Sequence, residues 1–310
     1  MKDFDDLEER LSTEERTTAR TPRYRSTRKN ALFVSTNFPL THDNRTMHVG
    51  TGIGEIANRI ITVSDTYRAE RLSHYFDDRD SVIKVHSERG ITTFTGKFRG
   101  TDVTVISTGI GISMMDFIVR ESTYHLKGNI AMVRLGTCGL LDPKTHPGSV
   151  ILNTSSRLIQ QNYDFDPCNP VDEPYCIVGN TESDPDLCHI LQRKLVSTLT
   201  SKKVRVGANL TAESFYSAQG RVDPRFEDYN DNLVRLLTEK EPEAYSFDLE
   251  TFKLLHLASR SKGRIKAAAC VVGTVNRVTE ETAKPLAIKD AELFSGFAVL
   301  QSLIEYPLHK

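Results

Sequence analysis

Two patterns of apolar and polar positions recur after about residue 55: short β-branched runs, and longer stretches where apolar residues return every three or four positions. The first pattern predicts strands over 59–63, 82–86, 91–98, 102–107, 131–135, 149–153, 204–210, 244–247 and 265–275. Several are continuous apolar runs rather than alternations, which marks strands buried on both faces. The second predicts helices over 113–126, 186–199, 250–259 and 291–304. Strands interleaved with helices imply an α/β fold, expected here as a single-domain three-layer α/β/α sandwich around a central mixed β-sheet.

Two segments stand outside that rhythm. Residues 1–45 are rich in both charges and in Thr, carry a basic run from Arg20 to Lys29 and lack a sustained apolar period. They are expected to form a flexible charged N-terminal arm, a solvated tail rather than a nucleic-acid contact, ahead of a domain over 46–310. Residues 160–186 set Pro167, Pro170, Pro174 and Pro185 among Asp and Asn, which predicts a long surface excursion serving as an interface or lid.

Composition narrows the partners. With 40 basic and 41 acidic residues and a sequence pI near 6.8, the chain has no global attraction for nucleic acid or an acidic membrane, so any anion site must be a local cluster. No apolar run is long enough to span a bilayer, and the acidic beginning fits neither a secretory signal nor a transit peptide, so a cytoplasmic location is expected. Five cysteines without a C-x-x-C pair read as reduced thiols, and nine histidines without metal-ligand spacing predict no metal site.

The candidate chemistry clusters where predicted strands end, the usual ligand position in an open α/β sheet. The clearest case is the stretch ESFYSAQGRVD, which sets the ring of Phe215 beside the multi-donor side chains of Gln219 and Arg221. Such a set can stack on a flat carbonyl-bearing ring and bond its edge. After the first strand, Ser64 and Asp65 precede Arg68 at a helix start: either a phosphate site or an N-cap with a solvated Arg. Arg134 lies within an apolar strand, followed by Thr137 and Gly139 in the expected turn. Buried there, it requires an anionic or polar partner, a ligand or a structural carboxylate. Asp248 and Glu250 emerge from a strand as a helix begins; Glu250 can accept from a ribose diol or cap that helix. Asn276 and Arg277 end the last strand, able to close a base pocket or to pair with Glu280 or Glu281. The Gly-rich turns VISTGIGIS and Gly50-x-Gly52-x-Gly54 match neither phosphate-loop pattern in full.

Taken in order, these elements resemble nucleoside phosphorylase family I over about residues 48–305, and within it the uracil-reading uridine phosphorylases. The resemblance implies phosphate binding by the turn of Ser64 and Arg68, by Arg134 and Thr137, and by Arg89 donated from an adjacent subunit. It implies a base pocket of Thr137, Gly139, Phe215, Gln219, Arg221, Asn276 and Arg277. Ribose falls to Arg134, Asp248, Leu249 and Glu250, with His48 lent across a dimer to the 5'-hydroxyl. Arg134, Gln219, Arg221 and Glu250 would carry the catalysis.

The implied reaction is reversible phosphorolysis of uridine to uracil and ribose 1-phosphate, by direct attack of phosphate on C1' with inversion. Phosphate is a co-substrate and no cofactor is implied. The expected assembly is a homodimer with sites shared across the interface, or a higher homo-oligomer built from it. The chain departs from the family pattern at Ser64 (family Gly), Thr66 (Pro), Asp248 (Glu), Gly90 and Thr274. The alternatives are a purine nucleoside phosphorylase or nucleosidase of the same superfamily, or a nucleoside-binding protein with impaired catalysis.

Overall fold

A computed structural model describes residues 37–308 apart from 170 and 202. The first 36 residues of the expected arm, with the basic run, therefore lie outside the described residues. Residues 37–45 rest on the domain: the Phe38 ring stacks on Tyr124 with centroids 4.2 Å apart. Arg45 is 8 % exposed, donates to the Gly50 carbonyl at 2.7 Å and pairs with Glu55.

The elements run β1 (Arg59–Val63), α1 (Thr66–Ser73), β2 (Ile83–His86), β3 (Thr92–Phe98), β4 (Thr101–Ser107), α2 (Ile112–Ser122), β5 (Ile130–Leu140) and β6 (Val150–Gln161). Then follow β7 (Tyr175–Glu182), α3 (Pro185–Leu199), β8 (Val204–Ala212), α4 (Leu233–Lys240), β9 (Ala244–Asp248), α5 (Thr251–Arg260), β10 (Ile265–Asn276) and α6 (Pro285–Glu305). All ten strands belong to one sheet, ordered β10-β6-β8-β9-β5-β1-β4-β3-β2 with β7 paired to β6. Because β10 also pairs with β5 along its length, β5, β10, β6, β8 and β9 close into a ring. Parallel and antiparallel pairs coexist: β1 runs parallel to β4 and β5, whereas β9 runs antiparallel to β5.

The three layers follow from alternation within the buried strands. Ile61, Val63, Val105 and Val133 face a core shared with Leu72 of α1, Leu191 of α3 and Val299 of α6. Their neighbours Ile60, Ile106 and Met132 face the opposite core, against Met115 and Ile118 of α2 and Leu254 and Leu257 of α5. Every strand at the sheet centre thus buries both rows, as the continuous apolar runs require. None of the described helices is long and apolar enough to cross a membrane.

Four expectations need correction. Strand β5 continues through residues 136–140, where Gly136 and Gly139 interrupt the β-branched run, so Thr137 and Gly139 lie in a strand and not in a turn. The Pro-rich excursion shrinks to residues 162–174, because β6 extends to Gln161 and β7 follows as an unforeseen strand. The eight-residue amphipathic helix α4 was also unforeseen. Helix α2 stops at Ser122, and Arg264 donates to the carbonyls of Thr123 and Leu126 just beyond its end.

Candidate active site

Strand β5 carries Arg134 into the interior, where its side chain is 1 % exposed. Its Nε donates to Asp248 Oδ2 at 3.1 Å and its Nη2 pairs with Glu250, while Nη1 is buried without a partner. Asp248 is the last residue of β9 and Glu250 sits just before α5. The buried Arg therefore has two structural carboxylates, and one donor left over.

Asp248 is saturated from other sides. Its Oδ1 accepts from the Thr211 hydroxyl at 2.8 Å and its Oδ2 from the Thr251 hydroxyl at 2.5 Å. Glu250 does not cap α5 through its side chain; instead its Oε1 accepts from the Gly111 amide at 2.8 Å. Gly111 holds φ +98°, a conformation that favours glycine, and the Gly-rich turn after β4 thereby presents that amide to Glu250. Gly136 is needed for a different reason: a Cβ there would lie 2.4 Å from Arg134 Nη2.

The electrostatics follow from burial. Desolvation pulls the Arg134 guanidinium down, but the charges of Glu250 and Asp248 outweigh it and hold its pKa above the usual value. Desolvation raises the Glu250 carboxyl above its ordinary range, Arg134 opposes this, and Asp248 adds to it. One cation facing two carboxylates leaves the cluster with a formal charge of −1.

Across the opening lies the excursion between β8 and α4. The Arg221 guanidinium stands over the Phe215 ring, 4.1 Å from its centroid, and its Nη2 donates to Gln219 Oε1 at 3.4 Å. Gln219 in turn donates to the Asp248 carbonyl at 3.3 Å, tying this excursion to the Arg134 side. Gly220, at φ +62°, lets the backbone lie against Leu233 and Val234 of α4. Asn230 donates to the carbonyls of Ser217 and Arg221, which closes the excursion on itself. Arg221 Nε is buried without a partner, and desolvation depresses the Arg221 pKa. One face of the Phe215 ring, expected to stack on a base, is thus covered by a guanidinium, while the ring as a whole stays 45 % exposed.

Between these two walls opens a pocket of about 150 Å³. Ser64, Arg134, Thr137, Gly139, Phe215, Gln219, Arg221, Asp248, Leu249, Glu250 and Thr274 line it, and so do Ile110, Cys138 and Phe247, which sequence reasoning missed. Burial pushes the Cys138 thiol far up, so it contributes shape and no charge. Motifs separated by up to some two hundred positions in sequence meet here because β1 stops alongside Arg134 in the middle of β5, while β9 runs antiparallel from the far end of β5 and carries Asp248 back toward the same place.

Other expected residues lie outside the pocket walls. Asn276 is fully buried; its amide donates to the carbonyls of Asp142 and Thr145 and its oxygen accepts from the amides of Val278 and Thr279, so no bond is left for a base. Arg277 pairs with neither Glu280 nor Glu281 among the observed ion pairs; it donates to the Gly220 carbonyl at 3.1 Å and packs its stem against Gly139. Asp65 is the N-cap of α1, accepting from the Arg68 amide at 2.7 Å, and Arg68 turns to Glu292. His48 Nδ1 lies 2.5 Å from Glu121, its ring stacked on Phe117. Arg89 is exposed in the turn between β2 and β3. The Gly50–Gly54 turn folds around the Arg45–Glu55 pair, with the Gly52 amide donating to Glu55.

The model of the family described as the Phosphorylase superfamily matches residues 58–300, the span from β1 into α6. The chain belongs to the phosphorylase superfamily. Its superfamily relatives include a uridine phosphorylase of Thermococcus kodakarensis, 28 % identical over 273 residues that cover 86 % of this chain and 90 % of the relative. A DeoD-type purine nucleoside phosphorylase of Geobacillus kaustophilus is 32 % identical over 130 residues, 39 % of this chain and 53 % of that one. Among solved structures, a uridine phosphorylase of the oomycete Phytophthora capsici superposes with a TM-score of 0.85 at 35 % identity, covering 89 % of this chain and all of the other. A Trypanosoma brucei nucleoside phosphorylase, at 20 % identity and a TM-score of 0.74, shares the superfamily fold.

Proposed function

We propose that the chain is a uridine phosphorylase, converting uridine and inorganic phosphate to uracil and ribose 1-phosphate. The observation that carries this reading is the pairing of two unlike walls across one small pocket: Arg134 with Glu250 on one side, and Gln219 and Arg221 over Phe215 on the other. The likeness over most of the chain to uridine phosphorylases supports it.

In this reading each Glu250 oxygen, having accepted one bond from the protein, keeps capacity for a ribose hydroxyl. Phosphate lies under C1', on the Ser64 turn, the Thr137 hydroxyl and the unpartnered Nη1 of Arg134. Held there, phosphate is already a competent nucleophile and positioning supplies much of the rate. As the glycosidic bond lengthens, negative charge moves onto the base, where Gln219 and Arg221 donate to its ring oxygens. Direct attack inverts C1' and forms no ribosyl-enzyme bond. Arg89, exposed on its turn, and His48 complete the site of a second copy in a homodimer, which belongs to the same proposal.

The test is uracil release by the purified protein from uridine, thymidine and inosine, each with and without phosphate. Phosphate-dependent cleavage of uridine and not of inosine is expected, since Asn276 has no free bond for a purine nitrogen. Cleavage without phosphate, or a preference for inosine, would overturn the reading.

A further inference from the structure

We propose that Glu292, on α6, competes with inorganic phosphate for Arg68 and thereby sets the phosphate concentration at which the site fills. The inference rests on the phosphate role proposed for the β1–α1 turn and adds to it a residue from the far end of the chain.

Arg68 lies in the first turn of α1, four residues after Ser64 of the pocket wall. Its Nη2 donates to Glu292 Oε1 at 2.6 Å, with Asp65 Oδ2 at 3.6 Å from the same nitrogen. Both Arg68 and Glu292 side chains are only 12 % exposed. The remaining donors, Nε and Nη1, are buried without partners. Of the whole guanidinium, only the edge facing Glu292 is satisfied, which is costly for a group with five N–H donors.

An arriving phosphate offers more charge and more acceptor oxygens than one carboxylate, but it must take Arg68 in the presence of Glu292 and Asp65. Two carboxylates already face the Arg68 guanidinium, and Arg71 adds a weaker positive influence on Glu292, so an arriving anion finds the Arg68 charge already answered. The backbone at Glu292 is held in place, because its neighbour Ala291 is buried in the core that α6 shares with α1 and the sheet. Desolvation already raises the Glu292 carboxyl above its usual range, against the pull of Arg68 and with Asp65 adding to the rise. Neutralising this one carboxylate frees Arg68 without removing a hydrogen-bond acceptor.

The experiment compares phosphate and uridine KM in the full-length protein for the wild type, Glu292→Gln and Arg68→Ala. Glu292→Gln keeps the acceptor oxygen and removes the charge. It is expected to lower the phosphate KM roughly three- to tenfold, the effect of one partly screened charge a few ångström away, and to leave the uridine KM within about twofold. An unchanged or raised phosphate KM, or an equal change in both constants, refutes the competition. Arg68→Ala is expected to raise the phosphate KM; if it does not, the turn is not the phosphate site and the underlying reading fails on its own. Should Glu292→Gln not fold, Glu292→Asp carries the same test, since its shorter side chain withdraws the oxygen from Arg68 and is expected to lower the phosphate KM in the same direction.

Discussion

Replacing Arg134 by Met should destabilise the fold sharply, and removing the charges opposite should restore it. Arg134, Asp248 and Glu250 are 1 %, 2 % and 3 % exposed, and the two carboxylates share this one counter-charge. Arg134→Met leaves both carboxylates buried and uncompensated, a loss of about 3–5 kcal/mol for breaking a buried pair from one side. In a chain of 310 residues that corresponds to a fall in Tm on the order of 5–8 °C. Adding Glu250→Gln and Asp248→Asn to Arg134→Met removes the stranded charge; of the hydroxyls of Thr211 and Thr251, which now donate to the two Asp248 oxygens, one keeps an oxygen to donate to and the other turns to accept from the new amide NH2. The triple variant should recover most of the loss, though not the activity. Calorimetric melting of the wild type, the single and the triple variant at pH 7.5 decides the matter. A single variant melting within about 2 °C of the wild type, or a triple variant no more stable than the single, would show that the cluster is not held by its charge balance.

Three further outcomes follow from the same geometry. Arg221→Ala should reduce turnover on uridine by roughly two to three orders of magnitude, the usual loss for one donor to a developing negative charge; a folded variant with wild-type kcat would remove Arg221 from the chemistry. Gly136→Ala should cost about 10- to 100-fold in kcat/KM, because the new methyl displaces the Arg134 guanidinium, and wild-type kinetics would count against a positioned Arg134. Because desolvation raises the folded pKa of Glu250, protons are held to higher pH and the accepting carboxylate is lost sooner on acidification. Uridine KM at saturating phosphate should therefore worsen on an acid limb lying above the ordinary carboxylate range, and Glu250→Gln should flatten that limb; a limb surviving in Glu250→Gln would assign it elsewhere.

The sheet was readable from residues because its strands bury two faces and so appear as unbroken apolar runs; 59–63 was placed at its true bounds for that reason. Where function intrudes, the pattern fades. Gly136 and Gly139 make room for Arg134 and Arg277, and the missing β-branched side chains disguise the second half of β5 as a turn. Strand β7 follows directly on Pro174 and carries exposed positions, and its apolar run Tyr175–Val178 is only four residues long before the polar Gly-Asn-Thr-Glu, too short to stand out as a strand. The pocket residues Arg134, Gln219, Arg221 and Glu250 were legible because charged or amide groups beside strand ends need partners. Which partner each takes was not legible: an amide such as Asn276 looks the same in sequence whether it meets a ligand or four backbone groups. The contact between Arg68 and Glu292 joins residues 224 positions apart and has no local signature.

The closed ring of β5, β10, β6, β8 and β9 divides the labour of recognition into fixed and exchangeable parts. Arg134, Asp248 and Glu250 sit on or directly beside ring strands, each of which has a neighbour on both sides and cannot shift alone. Phe215, Gln219 and Arg221 sit on an excursion that leaves the ring after β8 and rejoins it through α4 and β9. Residues 213–232 can therefore change length and composition without opening a sheet edge, while the carboxylates and the central arginine stay where they are. On the proposed assignment of base and ribose sites, a chain built this way can acquire a new base preference by rewriting a single stretch of some twenty residues and inherit its sugar chemistry unaltered.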